Sequence, residues 1–119
     1  RNFINAKELL QKAIKIKPKN TIAIHNLGTA YNELGKFKDA ENCYKKVLEI
    51  DPKDADTLNN LGVLLKQQKK YKEALYNYEK VIKINPKFLE AYTNIGNVLR
   101  QICTHFIQRF RVFFTSNNS

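Results

Sequence analysis

The sequence predicts an all-α fold, a solenoid of antiparallel helix pairs, from three observations. A unit of 34 residues recurs along the chain, small residues recur inside the unit, and its apolar residues have helical spacing. Residues 21–54 and 55–88 align without a gap and share twelve identical residues. Self-similarity at such a period is typical of repeat architectures. The unit is therefore the basis on which the other segments are interpreted.

Small residues and prolines recur at three positions of the unit. The recurring sets are Gly28, Gly62 and Gly96, then Pro18, Pro52 and Pro86, and finally Ala6, Ala40 and Ala74. Glycine inside a helix costs roughly 1 kcal/mol relative to alanine. Because that cost needs a compensating reason, we expect the paired helices to approach each other closely at these small residues.

Apolar residues within the unit have the spacing of two amphipathic helices joined by a short turn. In the first complete unit, Ile24, Leu27 and Tyr31 fit one helix, and a second run follows Gly35. Glycine accepts the left-handed conformation in which helices often end. Lys69 replaces it in the second unit, so we expect a strained or looser corner there.

The repeat divides the chain into four segments. Residues 1–20 correspond to the second helix of a truncated unit, and residues 21–54 and 55–88 are complete units. Residues 89–119 begin as a partial repeat and continue as a divergent C-terminal helix or tail. Because the apolar face of a lone second helix lacks its partner, we expect the chain to be a fragment of a longer array.

The end of the chain allows two interpretations. After residue 102 the register of the repeat fails, and Gln108 stands near the place of the expected alanine. Helical spacing nevertheless continues through Phe106, Ile107, Phe110, Phe113 and Phe114. The segment is either a degenerate helix that folds over the end of the stack as a cap, or a foreign tail with exposed phenylalanines. Exposed aromatic residues would favour self-association.

The recurring positions resemble the tetratricopeptide repeat family. In the unit from Thr21 the matching residues are Ile24, Leu27, Gly28, Tyr31, Gly35, Phe37, Ala40, Tyr44, Val47 and Pro52. The resemblance covers residues 1 to about 102. It implies a right-handed superhelical solenoid whose first helices line a concave groove, and it implies a protein or peptide as the partner.

The formal net charge of +10 raises the question of nucleic-acid binding. A strongly basic face can bind phosphate without sequence preference. Many lysines, however, fall on the second helices or on the turns beside them: Lys36, Lys38, Lys45, Lys46, Lys53, Lys70, Lys72 and Lys80. Because that side faces away from the expected groove, we interpret them as solvated surface residues and keep nucleic acid or an acidic membrane only as an alternative partner.

No catalytic or metal-binding set is predicted. The two histidines, His25 and His105, fall in separate units, and Cys43 and Cys103 have no metal or redox spacing. The scattered glycines form no phosphate loop, and no apolar run is long enough for a membrane span. We expect a chain without enzymatic activity, cofactor, metal or small-molecule substrate, in a reducing compartment such as the cytoplasm or the nucleus.

A row of asparagines is the main candidate binding feature. Asn26, Asn60 and Asn94 occupy the same place in three successive first helices. An amide both donates and accepts, so such a row could bind the backbone of an extended peptide or a partner helix. Alternatively, each asparagine bonds to a neighbouring repeat and holds the superhelix together. The predicted peptide-binding residues are Asn26, Thr29, Asn59, Asn60, Val63, Gln67, Asn94 and Asn97.

The asparagine row and residues 86–99 resemble the repeat region of O-linked N-acetylglucosamine transferases. In that family the corresponding asparagines hold the substrate peptide's backbone, which implies this role for Asn26, Asn60 and Asn94. The alternative function is therefore the substrate-recruiting fragment of a larger enzyme, such as an O-linked glycosyltransferase or a sulfotransferase. The chaperone-binding branch resembles the chain less, since Glu90 would repel the carboxylate which that branch clamps.

Overall fold

The computed structural model describes residues 2–118 and the side chains of residues 4–116. Its helices are α1 (Asn2–Ile16), α2 (Thr21–Glu33), α3 (Phe37–Ile50), α4 (Ala55–Gln67), α5 (Tyr71–Ile84) and α6 (Leu89–Asn118). Arg1 and Ser119, the outer ends of the first and last predicted segments, lie outside the described residues. Residues 2–118 contain no strand, so the predicted all-α fold is confirmed.

The helices form two layers that curve toward one side. Each helix packs against the next in the chain, and in addition α2 contacts α4 and α4 contacts α6. Within residues 2–118, α1 does not contact α3, and α3 does not contact α5. The layer of α2, α4 and α6 is therefore the tighter one, which makes it the inner, concave side of the array. The outer layer consists of α1, α3 and α5.

The two complete units begin with the same side-chain cap. The Oδ1 atoms of Asn20 and Asp54 accept hydrogen bonds of 3.1 Å from the backbone N–H groups of Ala23 and Thr57. Such a cap satisfies a donor that the first turn of a helix would otherwise leave unpaired. Phe88 occupies the corresponding position before α6 and has no side-chain oxygen, so the N–H of Ala91 donates instead to the backbone oxygen of Phe88 over 3.1 Å.

Lys69 adopts the backbone conformation that glycine has in the first unit. Its φ angle is 62°, against 77° for Gly35. The left-handed region costs a residue with a β-carbon roughly 1–2 kcal/mol. The strained corner expected in the second unit is thus confirmed, and the backbone bond from Lys70 N–H to Leu65 O, 2.9 Å long, closes it.

The paired helices approach each other closely at two of the three recurring glycines. A β-carbon built on Gly28 would lie 2.8 Å from Cε1 of Tyr44, and one built on Gly62 would lie 2.5 Å from Cε1 of Tyr78. Both distances are well inside van der Waals contact, which starts at 3.4 Å. At Gly96 nothing lies within 4 Å. The predicted close approach holds for the two complete units and fails for the third.

The third glycine is open because α6 does not turn back. It continues as one helix of 30 residues, and every side chain from Cys103 to Ser116 is exposed. The interpretation of this segment as a cap over the stack is therefore wrong. Cys103 stands where the earlier units turn, at Gly35 and Lys69, but it is helical here, and the bulky Gln108 replaces the alanine that close packing requires.

Candidate functional site

The asparagine row lies on the inner layer, with one residue on each of α2, α4 and α6. Asn26 is exposed, whereas Asn60 and Asn94 are half-buried. The repeat period thus places equivalent residues on neighbouring helices, as predicted. Their surroundings differ, however, because within residues 2–118 only α4 and α6 follow an earlier helix of the same layer.

Two hydrogen bonds join neighbouring first helices at the same pair of repeat positions. Nδ2 of Asn60 lies 3.1 Å from Nε2 of His25, and Nδ2 of Asn94 donates to Oδ1 of Asn59 over 3.0 Å. His25 and Asn59 are equivalent residues 34 positions apart, as are Asn60 and Asn94. For these two asparagines the interpretation as bonds between neighbouring repeats is therefore supported.

His25 uses both ring nitrogens to connect α2 with α4. Because an amide nitrogen only donates, Nε2 accepts from Asn60, which assigns the ring proton to Nδ1. Nδ1 then donates to Oγ1 of buried Thr57 over 2.7 Å. The sequence reasoning missed Thr57. Its signal was a polar residue at a position where the other units have Ala23 and Ala91.

Asn59 is the one predicted peptide-binding residue that is buried. It is 1% exposed and accepts the hydrogen bond from Asn94. A peptide in the groove has no access to it, so its prediction as a contact residue is wrong. The physical reason is its direction, since Asn59 points from α4 toward α6 whereas its neighbour Asn60 points toward α2.

Thr29 and Val63 occupy the same position of successive units, and so do Tyr44 and Tyr78. Oγ1 of Thr29 is 3.2 Å from the hydroxyl of Tyr44. Val63 has no hydroxyl, and the hydroxyl of Tyr78 is buried without a hydrogen-bond partner among the described residues. Burial raises the pKa of Tyr44, and burial, together with the charge of Glu90, raises the pKa of Tyr78 to about 12.

We expect Tyr44→Phe and Tyr78→Phe to change stability in opposite directions. Tyr44→Phe removes a paired hydroxyl and should lower the free energy of unfolding by about 0.5–1.5 kcal/mol. Tyr78→Phe removes a hydroxyl that is desolvated without compensation, so it should raise that free energy by up to about 1 kcal/mol. Urea unfolding of both variants checks the prediction, and an equal loss in both would contradict it.

Tyr78→Phe should also change the way in which the stability of the chain depends on pH. The hydroxyl of an unfolded tyrosine has a pKa of about 10, whereas the pKa of Tyr78 in the folded chain is about 12. Between these two values the folded state binds more protons than the unfolded state, so stability falls as pH rises. The fall should be shallower in Tyr78→Phe than in the parent, and an unchanged slope would show that Tyr78 ionises normally.

The inner layer retains polar groups that a peptide could reach. The side chain of Asn26 has no hydrogen-bond partner among the described residues, and the Oδ1 atoms of Asn60 and Asn94 likewise accept no bond there. Gln67 is exposed further along α4. Oδ1 of Asn97 accepts from the guanidinium of the nearby arginine on α6, over 2.9 Å. The layer therefore offers both hydrogen-bond acceptors and donors.

A cysteine lies on the outer layer, and its thiol is not activated. Cys43, on the outer helix α3, is half-buried, and burial raises the pKa of its thiol to about 11. The thiol is therefore protonated at neutral pH and a poor nucleophile. In the part of the chain that the structure describes, no three histidine, cysteine, aspartate or glutamate side chains come together as metal ligands.

Several solved structures share this fold. The first TPR of Spaghetti (RPAP3), bound to an HSP90 peptide, has a TM-score of 0.81 at 22% identity over 86% of this chain and 81% of its own. The Arabidopsis OM64 TPR domain has a TM-score of 0.80 at 23% identity, over 84% and 83%. A Thermobaculum terrenum O-GlcNAc transferase has a TM-score of 0.77 at 21% identity, over 82% of this chain but 19% of the enzyme.

At these identities the likeness establishes the fold alone. No curated protein matches the sequence. The pattern described as tetratricopeptide repeat matches residues 20–87, which is more than half of the chain. Together with the two layers of helix pairs, this match shows that the chain belongs to the tetratricopeptide repeat family.

Proposed function

We propose that the chain is a non-catalytic interaction scaffold that binds an extended peptide along α2, α4 and α6. The observation that carries the proposal is the asparagine row on the inner layer, in which amide oxygens are left without partners. The family supports a protein as partner, and a structural relative is bound to a peptide.

The internal bonds of the asparagines favour this use. Asn60 and Asn94 employ Nδ2 within the array, which fixes the orientation of each amide and leaves Oδ1 as the acceptor. Backbone N–H groups of a peptide can donate to such oxygens whatever its side chains are. Because the amides are already ordered, binding costs little side-chain entropy. Each bond contributes about 0.5–1.5 kcal/mol, so affinity depends on several of them together.

Asn26→Ala should weaken peptide binding without affecting stability. Asn26 is exposed and makes no hydrogen bond within the described chain, so its removal leaves the fold intact. Peptides selected from a random display library against the chain serve as probes. Their Kd should rise about 2- to 12-fold, which corresponds to the loss of one hydrogen bond. Titration calorimetry and urea unfolding of the same samples check both statements.

Asn42→Ala is the matched control, since Asn42 is also an exposed asparagine but lies on the outer helix α3. It should leave Kd unchanged. The proposal is wrong if the selected peptides bind Asn26→Ala as tightly as the parent, or if they lose affinity to the control instead. Asn60→Ala is less informative, because it also removes the bond to His25 and should lower stability.

Two alternatives make different predictions. Nucleic-acid binding by the exposed lysines would weaken steeply with added salt, whereas binding by neutral amides would change little. A recruiting role inside a larger enzyme would use the same groove, and it is supported by the fold shared with part of an O-GlcNAc transferase. This second alternative concerns what the scaffold is attached to, and it leaves the groove experiment unchanged.

A further inference from the structure

The C-terminal part of α6 presents a second surface, separate from the groove. We call residues 103–116 the tail helix. All of its side chains are exposed, and its apolar ones include Phe106, Ile107, Phe110, Phe113 and Phe114. Most helical stability in proteins comes from packing of the apolar face, and this part of α6 has no such packing within the described chain.

Five large apolar side chains of the tail helix share one face. With a turn of about 100° per residue, these four phenylalanines and one isoleucine fall within an arc of about 120°. Thr104, Gln108 and Thr115 lie opposite. Arg109 and Arg111 lie just outside the two edges of the arc, each about 40° beyond it. The helix is thus aromatic on one face, polar except for Val112 on the other, and cationic at both boundaries.

The charges favour an anionic partner over a second copy. No aspartate or glutamate occurs from residue 91 to residue 119, and the whole chain has a net charge of +10. Two tail helices paired through their apolar faces would bring Arg109 and Arg111 of both copies to the seam with no carboxylate between them. Like charges flanking such a seam oppose pairing.

A lipid surface matches all of these features. Aromatic side chains can enter the boundary between head groups and acyl chains, while arginines at the edge extend their stems and keep the guanidinium at the phosphates. Anionic lipids attract basic segments further. No helix within residues 2–118 has the length and apolar character needed to span a bilayer, so the orientation that fits is parallel to the surface.

We propose that the tail helix binds the surface of membranes that contain anionic lipids and thereby tethers the helix pairs there. The proposal is independent of the groove, since the tail helix contains none of the predicted peptide-binding residues. The full chain should float with vesicles of phosphatidylserine and phosphatidylcholine, and at least tenfold less protein should float with phosphatidylcholine alone. Because exposed charges are screened by salt, binding should also fall at high ionic strength.

Two single-tryptophan variants test the orientation. The chain contains no tryptophan, so Phe113→Trp and Val112→Trp each introduce one reporter. The parent side chains of Phe113 and Val112 are almost equally exposed, 64% and 65%. Phe113 lies within the apolar arc, whereas Val112 lies outside it. Emission of Phe113→Trp should shift to the blue when anionic vesicles are added, and emission of Val112→Trp should shift less.

Serine variants identify the part of the chain that binds. Phe110→Ser with Phe113→Ser should abolish flotation, whereas Val112→Ser should not, and circular dichroism should show the same melting because the tail helix packs against nothing in the stack. The proposal is overturned if the parent does not float, if the phenylalanine variant floats equally well, or if the two reporters shift equally. A dimer that the phenylalanine variant abolishes, without flotation of the parent, would identify a second copy as the partner.

Discussion

Leu65→Ala should lower the free energy of unfolding by about 2–5 kcal/mol, whereas Leu99→Ala should lower it by less than about 1 kcal/mol. The two leucines occupy the same position of successive units. Leu65 is 3% exposed and belongs to the core between α4 and α5 that also contains Tyr78. Leu99 is 48% exposed, because no helix among residues 2–118 follows α6 to cover that face.

The two variants should differ because only Leu65→Ala leaves an enclosed cavity. Truncation of a buried leucine removes apolar contacts and leaves a space that the surrounding helices fill only in part. Truncation at a half-exposed site leaves no enclosed space, because solvent already occupies the adjoining volume. Urea unfolding of both variants, followed by circular dichroism, measures the two values. Similar losses would show that a helix covers Leu99 in solution and that α6 turns back after all.

The repeat period accounts for most of what the sequence could predict about the fold. Positions that recur every 34 residues place the same contacts in each complete unit, so the two close approaches at Gly28 and Gly62 and the strained corner at Lys69 were accessible from the sequence. Each of these features depends on residues within one unit. Local pattern and packing agree there, which is the condition under which such reasoning succeeds.

The straight course of α6 was not accessible in the same way. Its residues after Ile102 have helical spacing both in a folded-back helix and in a continuous one. The two arrangements differ only at the corner, where Cys103 stands. Lys69 shows that a residue with a β-carbon can make this turn, so the absence of glycine at the corner does not decide between them.

The candidate site was predictable to the level of the helix face, and no further. The sequence places Asn26, Asn60 and Asn94 on the inner layer, but it does not tell which of Asn59 and Asn60 faces the groove. Adjacent residues of a helix point about 100° apart, and the displacement between neighbouring first helices selects one of them. That displacement depends on how the units stack. The hydrogen bonds that His25 makes with Thr57 and Asn60 are among the contacts between stacked units.

Replacing each of the three recurring glycines by alanine should change the free energy of unfolding by amounts that differ in size and in sign. Gly62→Ala should lower the free energy of unfolding by about 1–3 kcal/mol, because the new β-carbon would lie 2.5 Å from a ring atom of Tyr78. That ring is fully buried and cannot move aside without disturbing the core. Gly28→Ala should cost less, since the corresponding distance to Tyr44 is 2.8 Å.

Gly96→Ala should instead raise the free energy of unfolding by about 0.5–1 kcal/mol. A β-carbon there meets nothing within 4 Å, so the gain in helix propensity is unopposed. The same gain is present at Gly28 and Gly62, which makes Gly96→Ala the control that isolates the cost of close approach. Thermal and urea unfolding of the three variants test the order. If all three variants were more stable than the parent, the paired helices would have to lie further apart than the distances to Tyr44 and Tyr78 indicate.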